Sequence, residues 1–368
     1  QRQMCIRDSS EYVRAYYPDG LPAMGTDALR FTLLTGSSPG NDMNLSLQHV
    51  EGNRNFNNKI WNATRFITGK LASLPAPKRA DIRTQSSLAD RWIVSRLNDT
   101  VRDVTRLFEA YQYGEAGRQL YEFFWSEFAD WYIEAAKGQI DQGDGVAYNA
   151  CRTLAHVLDQ ILRLLHPFIP FVTEECWGHL KQAAGDAFAP QEGWPEALII
   201  SSWPRGSKTD DSAEAEMNLL IDLIRGIRNV RSEYKVEPAR RIAAVISAAD
   251  RTELLANQRE ILIQLARLDQ SGLVIEPTTP APDQAASVVV GPVTCYLPLA
   301  GLVDLGAEKA RLGKELDRVS DMIARSEKQL ASPFASRAPE PIVQREREKL
   351  ADLIQRRDQL EERLNSLN

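Results

Sequence analysis

The chain is poor in cysteine: four residues, Cys5, Cys151, Cys176 and Cys295, lie far apart and form no CxxC pair. That spacing excludes a zinc knuckle and a disulfide framework. His49, His156, His166 and His179 also lack paired ligand spacing, so no metal site is expected and each is read as structural or surface. No apolar run is long enough to cross a bilayer, because Arg163, His166, Pro167 and Pro170 interrupt the best candidate. A secretory signal pattern is missing as well. The chain is therefore expected to be cytoplasmic, without a membrane partner. Nor is positive charge in excess: 44 Lys and Arg against 50 Asp and Glu leave a net charge of −6. Bulk charge is thus removed as a route to nucleic acid, DNA is not expected as a partner, and any such contact would need local patches.

What the chain has is the make-up of a soluble globular protein, 43% hydrophobic and 26% charged, with length for two or three domains. Residues 25–67 anchor the reading. From Phe56 onward, Phe56, Ile60, Ala63 and Ile67 recur at helical spacing and mark a buried face. Asn55, Asn58, Asn62 and Arg65 share the other side. Their amides and guanidinium could bond to bases, phosphates or protein carbonyls, or could simply be a solvated face.

Residues 42–180 read as successive helices. Leu88, Trp92, Ile93, Leu97, Val101, Val104, Phe108 and Tyr111 keep an apolar stripe after a Ser86 or Ser87 cap. A third helix over 115–137 is heavily aromatic, with Tyr121, Phe123, Phe124, Trp125, Phe128, Trp131 and Tyr132 on several sides. Burial between neighbouring helices explains this better than a base-stacking platform does. Composition makes 138–145 a loop, and a fourth helix follows over 146–165. Pro167 and Pro170 redirect the chain, and Thr173 with Glu174 and Glu175 starts a short helix through Leu180. The sum is an antiparallel helical bundle.

After Ser202-Trp203-Pro204 the stretch 206–212 is polar and unpatterned, which places a linker there. A helix over 213–234 carries Arg225, Arg228, Arg231 and Lys235 beside its apolar stripe, with Arg240 and Arg241 close behind. This densest basic cluster of an acidic chain either pairs with carboxylates and solvent or contacts phosphates. Strands are expected at 241–248, 272–276, 286–290 and 293–297, with a helix at 252–268 and a tight Gly291-Pro292 turn. Together they form a small α+β module.

From Val303 the pattern becomes a coiled-coil seam: Leu305, Leu312, Leu316, Val319, Ile323 and Leu330, then Val343, Leu350, Leu353, Leu360, Leu364 and Leu367, with Arg357 inside it. Prolines between Ser332 and Pro341 break the helix, so the halves should fold back as an antiparallel hairpin. Each half is long enough to reach roughly 40 Å. Between Asp304 and Arg363 thirteen acids balance thirteen bases. Phosphate contact would have to be one-sided, through Arg311, Lys314, Arg318, Arg325 and Lys328, which could instead be solvent-exposed charges that stabilise the hairpin.

Several stretches occur in the order found in one family. Gly25-Thr26-Asp27-Ala28-Leu29-Arg30-Phe31, Pro39-Gly40-Asn41-Asp42 and the run from Arg54 to Ala63 resemble the valyl-tRNA synthetases. So do Leu88 to Asn98, Tyr121 to Tyr132, Ile224 to Glu233, and the arm with Ala338-Pro339-Glu340. His166 to Glu175 is shared with isoleucyl and leucyl enzymes. The resemblance covers residues 25–368 and implies a mainly α chain: a leader or remnant of the catalytic-domain junction (1–24), a helical anticodon-binding bundle (25–205), a linker with the α+β module (206–302) and a coiled-coil tRNA-binding arm (303–368). It implies a parent ligase that uses ATP, with Mg, to attach valine to its tRNA, and a monomeric C-terminal part that binds valine tRNA at the anticodon region and elbow. No His-x-Gly-His motif, Lys-Met-Ser-Lys-Ser loop or Rossmann-like glycine pattern is present, so this chain is expected to hold no catalytic residue and no cofactor, and to be inactive alone. Gln1 to Ser9 reads as a foreign or misread leader on a truncated product. The corresponding part of an isoleucyl or other class I enzyme, and a non-enzymatic coiled-coil scaffold, are the competing readings.

Overall fold

The structure is a computed structural model that describes residues 10–11, 14–15, 18, 20, 22–36, 45–74, 86–190, 192–299, 305–332 and 340–366. The leader 1–9 and the Pro39-Gly40-Asn41-Asp42 stretch lie outside them. Two compact units result, Gln1–Ala215 and Glu216–Asn368.

The first unit is helical: α1 (Thr26–Thr35), α2 (Leu47–Ser73), α3 (Leu88–Glu109), α4 (Tyr113–Glu122), a π-helical segment Phe123–Tyr132, α5 (Ile133–Gln142), α6 (Asp144–Leu165) and α7 (Pro170–Ala184). Ser87 caps α3: its hydroxyl accepts from Asp90 N at 3.1 Å, and the Asp90 carboxylate accepts from Ser87 N at 3.0 Å. The Tyr132 hydroxyl donates to the same carboxylate at 2.6 Å. Burial and that carboxylate push the phenol well above its ordinary range. A cap in one helix is thus tied to the aromatic segment of another.

The aromatic helix is longer and less regular than its sequence predicts. It runs from Tyr113 through Gln142, and its middle ten residues widen to π geometry. Phe124, Phe128 and Tyr132 all lie fully buried, and successive rings meet at 5.8 and 6.1 Å. The loop expected at 138–145 is a single residue, Gly143, at φ +78° and ψ −168°. Backbone of that kind is accessible to glycine at little cost, so one residue suffices to end α5 and begin α6.

The helix after the prolines begins at Pro170, not Thr173. Thr173 lies inside it, fully buried, and donates to Ile169 O at 2.8 Å. The capping charge comes from far away in sequence: Asp27 of α1 accepts from Val172 N at 2.7 Å and Phe171 N at 3.4 Å. Arg30 completes the clamp by donating to Phe168 O and Pro167 O, both at 3.2 Å. A carboxylate at a helix N-terminus satisfies orphan amides and meets the positive end of the dipole.

Residues 206–210, expected as linker, form a strap laid on α3. Asn98 bonds it from both ends of its amide, to Lys208 O at 3.1 Å and from Ser207 N at 3.0 Å, and the Ser95 hydroxyl accepts from Asp210 N at 2.7 Å. Arg96 pairs with Glu127 through two bonds of 2.9 and 3.1 Å and reaches Glu214 at 3.4 Å, joining α3 to the π segment and to the first turn of α8 (Asp211–Glu233).

In the second unit a four-stranded mixed sheet runs in the order β2-β1-β4-β3. Its strands are β1 (Ile242–Ser247), β2 (Leu268–Glu276), β3 (Ala285–Val290) and β4 (Val293–Pro298). β1 and β2 are parallel, and the expected single helix between them is two, α9 (Thr252–Asn257) and α10 (Arg259–Ala266). β2 starts four residues earlier than expected. Its register to β1 slips between Ile242 and Ala244, where Gly272 lies against Ala243 at a distance that leaves no room for a side chain. β3 and β4 form the hairpin about Gly291, at φ +53°.

The arm is α11 (Leu305–Leu330) and α12 (Glu340–Ser366). Arg356 pairs with Glu315 at 2.7 Å, and Ser326 bonds to Glu346; the advance of one partner as the other retreats shows the helices antiparallel. Leu312, Val319, Ile323, Val343, Leu353 and Leu360 are buried along the seam as its heptads predict. Leu312, Val319, Ile323, Leu353 and Leu360 share one apolar cluster with Tyr234, Ala286 and Leu299, so the arm is rooted in the sheet module.

Candidate nucleic-acid interface

The amide stripe of α2 is where its periodicity puts it. Phe56, Ile60 and Ile67 are fully buried, while Asn55, Asn58, Asn62 and Arg65 are all exposed along the opposite face. Two neighbours add aromatic surface that sequence reasoning missed. Trp61 stands 40% exposed beside the stripe, edge-on to His179 at 5.6 Å. Phe66, one residue beyond Arg65, has Lys70 and Lys137 ammonium groups at 5.9 and 5.4 Å from its ring centre. The helical wheel could have flagged Trp61, which falls beyond Arg65 at the edge of the exposed side. Phe66 depends on Lys137 from α5, which no local pattern reveals. Exposed amides, a guanidinium and aromatic faces are the groups that bond and stack with unpaired bases.

Lys59, within the same helix, is not free for a ligand. Its ammonium bonds to Asp130 at 2.6 Å and lies 3.7 Å from the centre of Trp125, which stacks on Tyr121. The aromatic segment thus packs mainly inward, as core.

In the second unit the basic cluster divides. Arg231 is 7% exposed, and its guanidinium donates to three backbone carbonyls, those of Arg240 at 2.8 Å, Glu237 at 3.2 Å and Arg267 at 3.4 Å. It holds the chain where α8 passes into β1. Arg228 is exposed but sends Nε to Leu265 O at 2.9 Å. Arg225 is exposed and lies 3.6 Å from Asp222, and Lys235 is exposed at φ +51°.

On α11, Lys314, Arg318, Arg325 and Lys328 are all exposed. Steps of four, seven and three residues keep them within one sector of the helix, with Asp321 among them. The side chain of Arg311 lies outside the described residues.

Cys151 and Cys176 are buried, and burial pushes both thiols up to about 11, which keeps them unreactive at neutral pH. Among the described residues no group of three or more His, Cys, Asp or Glu side chains is placed to hold a metal ion, and no helix is long and apolar enough to cross a membrane.

Comparison with known families matches the two regions separately. Residues 90–246 fit the anticodon-binding domain of tRNA ligases, and residues 304–368 fit the valyl-tRNA synthetase tRNA-binding arm. The valine–tRNA ligase of Geobacillus stearothermophilus is 41% identical over 356 residues, covering 95% of this chain and 39% of that protein. The chain belongs to the valyl-tRNA synthetase family. Valine–tRNA ligases of Bacillus subtilis, 39% identical over 355 residues, and Symbiobacterium thermophilum, 40% identical over 365, agree. The chain spans about 39% of the length of the G. stearothermophilus and B. subtilis ligases and corresponds to the C-terminal part of valyl-tRNA synthetases. Within that frame α2, with its amide stripe, lies ahead of the matched anticodon-binding region, and the α11 cations lie inside the matched arm.

Proposed function

We propose that this chain is a tRNA-recognition module that binds valine tRNA, the first unit meeting the anticodon stem and loop and the arm meeting the elbow. The observation that carries the reading is the one-sided exposure of cations on α11 within an arm of balanced charge. Such a stripe contacts phosphates and positions RNA without reading its sequence. Base reading falls to the first unit, where Asn55, Asn58, Asn62 and Arg65 lie exposed beside Trp61 and Phe66. Arg225, Arg228 and Lys235 add phosphate contacts, with Arg311 as a further member of the arm set. Arg231 supports them by fixing the chain that follows α8.

The parent reaction, ATP-dependent attachment of valine to tRNA with Mg, is proposed for the longer ligase. Among the described residues no group of three or more His, Cys, Asp or Glu side chains is placed to hold the Mg. Binding here would hold the acceptor end at an active site elsewhere in the parent, placement that can be worth several kcal/mol of barrier. Replacing Lys314, Arg318, Arg325 and Lys328 by Glu tests the arm. Filter binding should show valine tRNA held at least tenfold more weakly, with the elbow losing its protection from hydroxyl radicals. Unchanged affinity and footprint would reject the arm as the contact.

A further inference from the structure

The sheet of the second unit has two edge strands, β2 and β3, and they differ in what protects them. β2 carries Asp269 and Glu276, and its carbonyls at Gln270 and Leu273 accept from the Arg259 guanidinium at 2.9 and 2.7 Å. Charge and covered backbone are what keep a sheet edge from pairing with another chain. β3 has neither. From Gln284 to Pro292 the sequence is uncharged, and Val288, Val289 and Val290 favour extended backbone.

The pairing of β3 with β4 fixes which of its backbone groups face out. Ala285 lies opposite Pro298, which has no N–H, so that pair is of the non-hydrogen-bonded kind. Alternation makes Ser287 with Tyr296 and Val289 with Thr294 the same kind, and the bond from Leu299 N to Gln284 O at 3.0 Å agrees. The N–H and C=O groups of Ala285, Ser287 and Val289 therefore point away from β4. None of them has a hydrogen-bond partner among the described residues. Their side chains lie on the face opposite Ala286 and Val288, which are buried, Val288 against Gly226 of α8. Ser287 is exposed, and Val289 is 68% exposed. One row across that face reads Val274, Val245, Tyr296 and Ser287, again without charge.

We propose that β3 pairs with β3 of a second copy of this chain, antiparallel about a two-fold axis at Ser287. In that register Ser287 faces Ser287 and Ala285 faces Val289, so every outward residue exchanges both of its backbone bonds. Any other antiparallel register leaves one or more of them outside the ladder. A strand that meets itself sets each charge near the axis against its own copy, and like charges across a ladder are destabilising. The uncharged run from Gln284 to Pro292 meets that condition, which a foreign strand would not impose. Two four-stranded sheets then join into one, and Val289 is covered beside the small Ala285 of the other copy. This departs from the monomer that the family resemblance implies, and it does not depend on the tRNA function proposed above. One strand pair buries less than the roughly 1,200–2,000 Å² of a standard interface, so the association is weak and shows at high concentration.

The test is sedimentation velocity of the full chain over a hundredfold range of concentration, with hydrogen exchange over the same range. Monomer should pass to dimer as the amides of Ala285, Ser287 and Val289 gain protection. Ser287→Lys sets two ammonium groups across the axis and should weaken association at least tenfold; the position is exposed, so the thermal melt should not move. Val289→Pro removes an outward N–H, which an edge strand tolerates, and should weaken association as well. Val274→Lys, on the opposite edge strand, should leave it unchanged. A monomer throughout, or a dimer that Ser287→Lys and Val289→Pro leave intact, overturns the proposal. Protection of the three amides that does not vary with concentration also overturns it, because the edge would then be covered within one chain.

Discussion

A basic residue can be spent before any ligand arrives, and Arg231 shows how. Arg225, Arg228 and Arg231 follow one another along α8 and Lys235 lies just beyond it, yet Arg231 is buried in a cage of three carbonyls while the others are exposed. Arg231→Ala should cost about 2–4 kcal/mol, because the three carbonyls lose a charged donor in a site that water reaches poorly. Urea unfolding of the second unit measures this. Arg225→Ala should change stability by less than about 0.5 kcal/mol, as exposed positions do. Asp27 has the opposite character, an acid that looks like surface charge in sequence and is 7% exposed in the fold. Asp27→Ala removes the cap of α7 and should destabilise the first unit by about 1–2 kcal/mol, read from thermal melts. The amide stripe was legible because exposure follows helical period. Arg231 and Asp27 were not, because their partners lie in other elements and charge alone does not show which side of a helix is covered.

Individual elements behave where their sequences are periodic and depart where tertiary contacts decide. The arm seam was readable at Leu312, Val319, Ile323, Val343, Leu353 and Leu360, since each heptad position repeats the same environment; the side chain of Leu305 and residue Leu367 lie outside the described residues. The π winding of Phe123–Tyr132 and the one-residue break at Gly143 were not, since aromatic content and a glycine-rich stretch are compatible with several backbones. Gly143→Ala places a Cβ on left-handed extended backbone and should cost about 1–3 kcal/mol, or let the α5–α6 junction rearrange, measured by chemical denaturation and hydrogen exchange. In the arm, the Ser326 hydroxyl and then the Lys349 ammonium hold the Glu346 carboxyl below its usual range. A carboxyl lowered on folding adds stability that is fully present above its unfolded pKa, near about 4.3, and is lost as pH falls through the folded value. Melting of the arm followed by circular dichroism should therefore fall off between pH 5 and 3 by an amount that shrinks in Ser326→Ala.

At the scale of the whole molecule, family membership and architecture agree: two matched regions, a helical first unit, and a second unit of mixed sheet and rooted hairpin. The proposed division of labour gives base reading to the first unit and phosphate contact to the arm. The motifs that carry the family resemblance also build the fold: Asp27 and Arg30 of one stretch clamp the His166-to-Glu175 stretch, and Arg96 of another bonds Glu127 of a third. The most direct measurement is fluorescence anisotropy of the chain with a valine tRNA transcript and with the same transcript carrying a changed anticodon, at low and moderate salt. The account predicts tighter binding of the native anticodon that persists as salt rises. Equal binding of both transcripts that vanishes with salt would contradict it, leaving phosphate contact without recognition.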